Sequence, residues 1–227
     1  MNIKENLARV QERINAAARR AGRDPADVKL VAVTKTIPVN IINEALDLGV
    51  FCLGENRVQE FLRKQPLLRQ DIEWHFIGHL QTNKVKKIID KVSLIHSLDR
   101  WSLAEVISRA ACEAGITARA LIQVNVAGEA TKYGLSPAEA GGFARAAAAL
   151  PGLELCGLMT IAPVCDDPGE VRYVFRQAAE LARRMKDNIR GIKMDILSMG
   201  MTGDFEIALE EGANLIRLGA ALFGARN

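Results

Sequence analysis

Apolar positions recur at steps of three and four near the start of the chain: Leu7, Val10, Ile14, Ala17 and Ala21. That spacing places them on one face of a helix, and Gly22 stands where it would stop. Asp24-Pro25 then predicts a turn. Beyond it, short apolar runs alternate with amphipathic stretches. The runs cover residues 29–34, 50–54, 73–78, 92–96, 119–126, 153–160, 194–199 and 214–218. Several are apolar almost throughout, as strands buried on both faces are.

The stretches between them carry helix signals. Ser136-Pro137-Ala138-Glu139 joins an N-cap, a proline at the first helical position and a capping-box glutamate. Asp167-Pro168-Gly169-Glu170 repeats that chemistry. It precedes a face of Val171, Val174, Phe175, Ala178, Leu181, Ala182 and Met185. Gly49, Gly115 and Gly212 stand where helices should end before the next strand.

Strand alternating with helix specifies a parallel sheet. Eight such units of about 25 residues each fit a closed barrel. The rival architecture, an open doubly wound sheet, wants a glycine-rich turn after its first strand. Here that place holds Val33-Thr34-Lys35-Thr36-Ile37-Pro38. The expected fold class is α/β: a single (β/α)8 TIM barrel with an extra N-terminal helix, one domain over residues 1–227.

Composition narrows the function classes. Of 227 residues, 49% are hydrophobic and 25% charged, the balance of an ordinary globular protein. A net charge of +3 is too small to imply nucleic acid or an anionic membrane as partner. Lys84, Lys86, Lys87 and Lys91 read as a solvated helix face. No apolar run approaches the ~18 residues of a membrane span, and the N-terminus is polar, so the expected location is the cytoplasm. Cys52, Cys112, Cys156 and Cys165 show no CxxC spacing and read as free thiols. His75, His79 and His96 form no HExxH or Cys/His motif, so no metal site is expected.

In such a barrel the chemistry sits at the C-terminal ends of the strands. The first strand leads straight into Lys35. Burial disfavours an ammonium and frees the amine to attack a carbonyl, although a strand-end lysine also snorkels to solvent. The last two strands lead into Ser198, Gly200, Thr202, Gly219 and Ala220, with a helix expected to start near Thr202 or Gly203. Hydroxyls, small residues and free N–H groups there suit a phosphate, and also suit ordinary helix caps. Together these features describe a ligand with a carbonyl at one end and a phosphate at the other. Pyridoxal phosphate and a sugar-phosphate aldolase substrate both have that shape.

Longer stretches carry a resemblance. Val33-Thr34-Lys35-Thr36, the GENRVQE run at 54–60, the WHFIGHLQTNK run at 74–84, Leu197-Ser198-Met199-Gly200-Met201 and Arg217-Leu218-Gly219 fall in order along the chain. In these the chain resembles the pyridoxal phosphate homeostasis protein family, from about residue 4 to the C-terminus. That family's fold is similar to the N-terminal barrel of alanine racemase. The resemblance implies Lys35 as the Schiff-base lysine of pyridoxal 5'-phosphate. It implies Ser198, Thr202, Gly219 and Ala220 around the phosphate and Arg217 facing the pyridine nitrogen. It also implies Asn56, His79 and Met159 in the pocket. Each of these three also has a plain structural reading: Asn56 as a helix N-cap, His79 as a cap or core residue, Met159 as barrel packing. Cys52 and Cys156 read as core. Some family members carry a second lysine two positions after the first; this chain has Ile37 there.

Arg217 bears on activity. An acidic partner keeps the pyridine nitrogen protonated and makes the ring a strong electron sink, whereas an arginine disfavours that protonation. Racemases compensate with a second base, a tyrosine from another domain. The chain ends nine residues after Leu218, and its only tyrosines are Tyr133 and Tyr173. The expectation is a monomeric carrier that supplies pyridoxal phosphate to apo-enzymes, without turnover of its own. The alternative is an amino-acid racemase or a Schiff-base aldolase.

Overall fold

The computed structural model describes residues 2–165 and 167–224. Eight parallel strands close a barrel in chain order. They are β1 Lys29–Val33, β2 Cys52–Glu55, β3 Glu73–Phe76, β4 Leu94–Leu98, β5 Ala118–Gln123, β6 Leu153–Met159, β7 Ile196–Ser198 and β8 Leu215–Leu218. β8 returns to β1 with Lys29 opposite Leu215 and Ala32 opposite Leu218, which closes the ring. Every expected run overlaps one strand, with β2, β4 and β5 reaching one or two residues beyond theirs. The fifth run stops early because Val124 instead bridges Leu135, and the Asn125 amide bonds the Glu129 carbonyl at 2.8 Å.

The helices are α1 Ile3–Arg20, α2 Val39–Asp47, α3 Val58–Lys64, α4 Trp101–Glu113, α5 Pro137–Ala147, α6 Pro168–Asn188, α7 Phe205–Glu210 and α8 Ala220–Phe223. The segment between β3 and β4 is a 3-10 helix, Thr82–Lys87, rather than the expected α-helix. Lys86 and Lys87 are exposed and Lys84 is half-buried, and Lys86 pairs with Glu113 at 2.5 Å. No helix among the described residues is long and apolar enough to cross a membrane.

Local chemistry explains the helix starts. Ser136 and Glu139 close both halves of the capping box of α5. Asp167 accepts from Gly169 N–H at 2.8 Å at the head of α6, and the seven residues expected on one face of α6 are the ones buried. The additional helix α1 buries Ile3, Val10, Ile14, Ala17 and Ala18 against α7 and α8. Each fully buried branched side chain there contributes about 1.5–3 kcal/mol. Arg13–Glu206 at 2.7 Å and Arg20–Glu210 at 2.8 Å add exposed pairs worth at most ~1 kcal/mol each. Thus α1 braces the elements that follow β7 and β8, where the site lies.

Candidate functional site

At the C-terminal ends of the strands a cavity of about 580 Å³ opens. Lys35, Asn56, Thr202, Arg217, Gly219 and Ala220 line it, with Val33, Ile77 and Ile161 as apolar wall. Six residues singled out in the sequence therefore share one space, although they come from β1, β2, β7 and β8 loops far apart in the chain.

Lys35 is half-buried and makes no ion pair among the described residues. Its neighbours are held rigidly. Thr36 has φ +64, a left-handed backbone that costs a β-branched residue about 1–3 kcal/mol. Glu60 holds it there by accepting from Thr36 N–H at 2.5 Å. On the other side, Lys64 Nζ donates to the Thr34 carbonyl at 2.6 Å, to Glu55 at 2.8 Å and to Glu60 at 2.7 Å. Thr34 Oγ1 also donates to Glu55, at 2.7 Å. Burial pushes the Glu55 carboxyl up, against its bonds from Lys64 and Thr34. Burial acts the same way on Glu60, but the bonds from Lys64 and Thr36 outweigh it and hold that carboxyl below its usual range. The network fixes the backbone on both sides of Lys35 and leaves its amine to the cavity.

Arg217 forms part of the floor. It is 4% exposed, and its guanidinium donates to Ser198 Oγ and, at 3.0 Å, to the Thr160 carbonyl. Burial pulls its pKa down to about 10 while Asp204 opposes, so it stays a cation at neutral pH. No carboxylate touches it among the described residues. Its five N–H donors exceed these two acceptors. A ligand atom with a lone pair is the partner such a buried cation lacks.

The other end of the cavity is a cradle of small residues. The helix expected at Thr202 or Gly203 begins instead at Phe205, because Met201–Asp204 is a turn closed by Met201 N–H on Asp204 Oδ1 at 2.5 Å. Thr202 Oγ1 accepts from Ala221 N–H at 3.2 Å, which ties the β7 loop to the β8 loop. Gly200 faces away from the cavity. It has φ +93, and a Cβ there would lie 2.7 Å from Ala208 Cβ and 2.9 Å from Phe205 Cα, so it serves the approach of α7.

Three further expected residues lie elsewhere. Ser198 is buried beneath the floor with its hydroxyl bonded to Arg217. Met159 packs inside the barrel with Val31, Leu94, Leu121, Cys156 and Leu215. His79 lines a neighbouring recess that shares Asn56 with the cavity. Its ring stacks on Tyr133 at 4.0 Å, and its Nδ1 lies 3.3 Å from Asp99 Oδ2 without hydrogen-bond alignment. Asn56 is not a helix cap: Arg57 holds that position, and Asn56 Oδ1 is buried with no partner. An orphaned acceptor in the wall and surplus donors on the floor both fit a polar heterocycle.

Sequence reasoning missed the Glu55–Glu60–Lys64 network, although all three residues fall within or beside the GENRVQE run. It also missed a contact of Cys52, Glu73 and His75 at the opposite mouth of the barrel, whose polar atoms lie within 4.8 Å of one another. Lys29 Nζ already engages both Glu73 oxygens, at 2.9 and 2.8 Å.

Fold and cavity together define a barrel of the alanine racemase N-terminal class, and that family, "Alanine racemase, N-terminal domain", matches residues 6–227. The alanine racemase of Clostridium difficile 630 shares the fold alone, with a TM-score of 0.72 at 19% identity over 99% of this chain and 57% of its own. More similar is the Aquifex aeolicus pyridoxal phosphate homeostasis protein, 47% identical over all of this chain and 99% of its own length. The Escherichia coli K12 protein of that name is 40% identical over 100% of this chain and 97% of its own. PipY of Synechococcus elongatus PCC7942, solved with PLP bound, has a TM-score of 0.87 and 36% identity over 98% of this chain and 100% of its own. The chain belongs to the pyridoxal phosphate homeostasis protein family.

Proposed function

We propose that this chain is one domain that binds pyridoxal 5'-phosphate, holds it as a Schiff base on Lys35, and keeps and delivers it within the cytoplasm as a monomer. The observation that carries this reading is the convergence of Lys35, Arg217, Thr202, Gly219 and Ala220 on one cavity. Bound there, the cofactor would supply an aldehyde to the Lys35 amine, which lines the cavity. The residues of the chain do the rest. The clamp on Thr34 and Thr36 orients Lys35. Thr202, Gly219 and Ala220 receive the phosphate. Asn56 offers its unpartnered amide oxygen to a ring substituent. Arg217 would meet the pyridine nitrogen as a donor and would disfavour its protonation by like charge.

That last feature supports a carrier over a catalyst, because an unprotonated ring withdraws electrons weakly. Racemisation needs a second base opposite the lysine. Tyr133 is 58% exposed, stacks on His79 and does not line the cavity. The acceptors of the cargo are apo-enzymes that use the same cofactor.

Two measurements test this. The purified protein, incubated with the cofactor, turns yellow and gains a borohydride-reducible adduct on the peptide containing Lys35. Racemisation of alanine at racemase-like rates would overturn the carrier reading. A protein that stays colourless with added cofactor would favour an aldolase.

A further inference from the structure

Beneath the cavity, polar side chains cross the barrel in a single file. Ser198 Oγ, which accepts from Arg217, lies 3.0 Å from His96 Nδ1. His96 Nε2 lies 2.9 Å from His75 Nδ1. His75 Nε2 lies 3.0 Å from Glu73 Oε1 at the opposite mouth, with Cys52 Sγ 3.6 Å away. Both imidazoles and Ser198 are buried.

The polarity of this file is determined link by link. A guanidinium only donates, so Ser198 Oγ accepts from Arg217. The single hydroxyl proton is then free to point at His96 Nδ1, which accepts. A neutral imidazole has one N–H, so His96 carries it on Nε2 and donates to His75 Nδ1. His75 in turn carries its proton on Nε2 and donates to the Glu73 carboxylate. An added proton on His75 would set N–H against N–H at the His75–His96 contact. Burial disfavours the charged form of both rings, and for His96 the Arg217 cation acts in the same direction, as a charge on His75 would. The other charged groups facing the file are Lys29 and Arg119 at its lower end.

We infer that His96 and His75 are positioning residues for Arg217: their one-way chain directs the Ser198 hydroxyl proton away from the guanidinium and so fixes the cation at the cavity floor. The inference rests on the reading that Arg217 meets the pyridine nitrogen. Among the described residues Arg217 touches no carboxylate that could hold it, and its two acceptors there are Ser198 and the Thr160 carbonyl. A serine hydroxyl rotates freely, and only an acceptor on its far side orients it. His96 Nδ1 is that acceptor, and the Glu73–Lys29 pair anchors the chain at the far mouth.

The test has two arms. In cofactor-free protein, nitrogen-15 NMR of the imidazoles reads the chain itself. Both rings should be neutral with the proton on Nε2, and Ser198→Ala should perturb His96 more than His75. A charged ring, or a proton on Nδ1 of His96, overturns the chain. In cofactor-loaded protein, His96→Phe should shift the absorption maximum of the bound cofactor and its pH profile, and weaken retention by roughly tenfold, the cost of a lost hydrogen bond to a charged group. His96→Asn places an acceptor where Nδ1 was and should restore the spectrum. If His96→Phe does not fold, Ser198→Ala carries the same comparison. Wild-type spectra for both Ser198→Ala and a folded His96→Phe overturn the positioning role. A wild-type protein that takes up no cofactor defeats the underlying reading instead, while the NMR arm still decides the chain.

Discussion

At the β1 end of the cavity, Lys35 stands between two threonines pinned by charged side chains; at the β7 and β8 end, the lining is Thr202, Gly203, Gly219 and Ala220. The first end spends three charged side chains on backbone geometry. The second uses backbone and one hydroxyl. On the proposed function the difference follows from two tasks. A long lysine with rotatable bonds reaches a carbonyl reproducibly only if its Cα is fixed, and fixing a left-handed Thr36 requires a strong acceptor. A phosphate is bound by many short donors, and small residues let the backbone approach it.

This contrast predicts unequal costs. Lys64→Met leaves the buried Glu55 and the partly buried Glu60 without their cation, and should cost about 3–5 kcal/mol in chemical denaturation. If it costs under ~1 kcal/mol, the clamp is not structural, since that is the value of an exposed pair. Gly200→Ala places a methyl against Ala208 and Phe205 in a left-handed backbone, and should cost roughly 2–4 kcal/mol from strain and overpacking. The thermal midpoint should fall while Lys35 remains reactive.

The floor shared by both ends should respond to pH. His75 and His96 have folded pKa values below the ordinary 6.5, so the unfolded chain binds protons first as pH falls. Their contribution is complete above 6.5 and is lost below it, with a slope of up to ~1.4 kcal/mol per pH unit for each ring. Glu73, held at about 2 chiefly by the His75 bond, adds a later loss as pH falls from 4.5 towards 2. Stability measured against pH should show both stages, and His96→Asn should flatten the first. The smallest effect belongs to Thr202→Val. It removes one hydroxyl bonded to Ala221 N–H, and should change stability by about 0.5–1.5 kcal/mol while weakening phosphate retention.

Much of this was legible in the sequence. Strand runs and helix caps are local patterns, and the eight runs, the Ser136–Glu139 box and the buried face of α6 all appear in the fold. Lys35 was legible because it ends an apolar run, and Arg217 through the family resemblance. Other features depend on pairs distant in the chain. His75 and His96 lie 21 residues apart and meet only because β3 and β4 are neighbours in the barrel. The position of Gly200 against α7 depends on a turn, Met201–Asp204, that delays the helix. The 3-10 segment at Thr82–Lys87 occupies a place where charge pattern alone suggested an α-helix. Ser198 has the residue type of a phosphate ligand, but its side chain points to the barrel interior, where it meets Arg217 and His96.

The central claim is that Lys35 carries the cofactor covalently. Absorbance spectra of the cofactor-loaded protein and of Lys35→Ala, each before and after borohydride, test it most directly. The wild type should show a reducible band with the label retained on the Lys35 peptide, and the variant should lose both. An unchanged reducible band in Lys35→Ala would contradict the assignment.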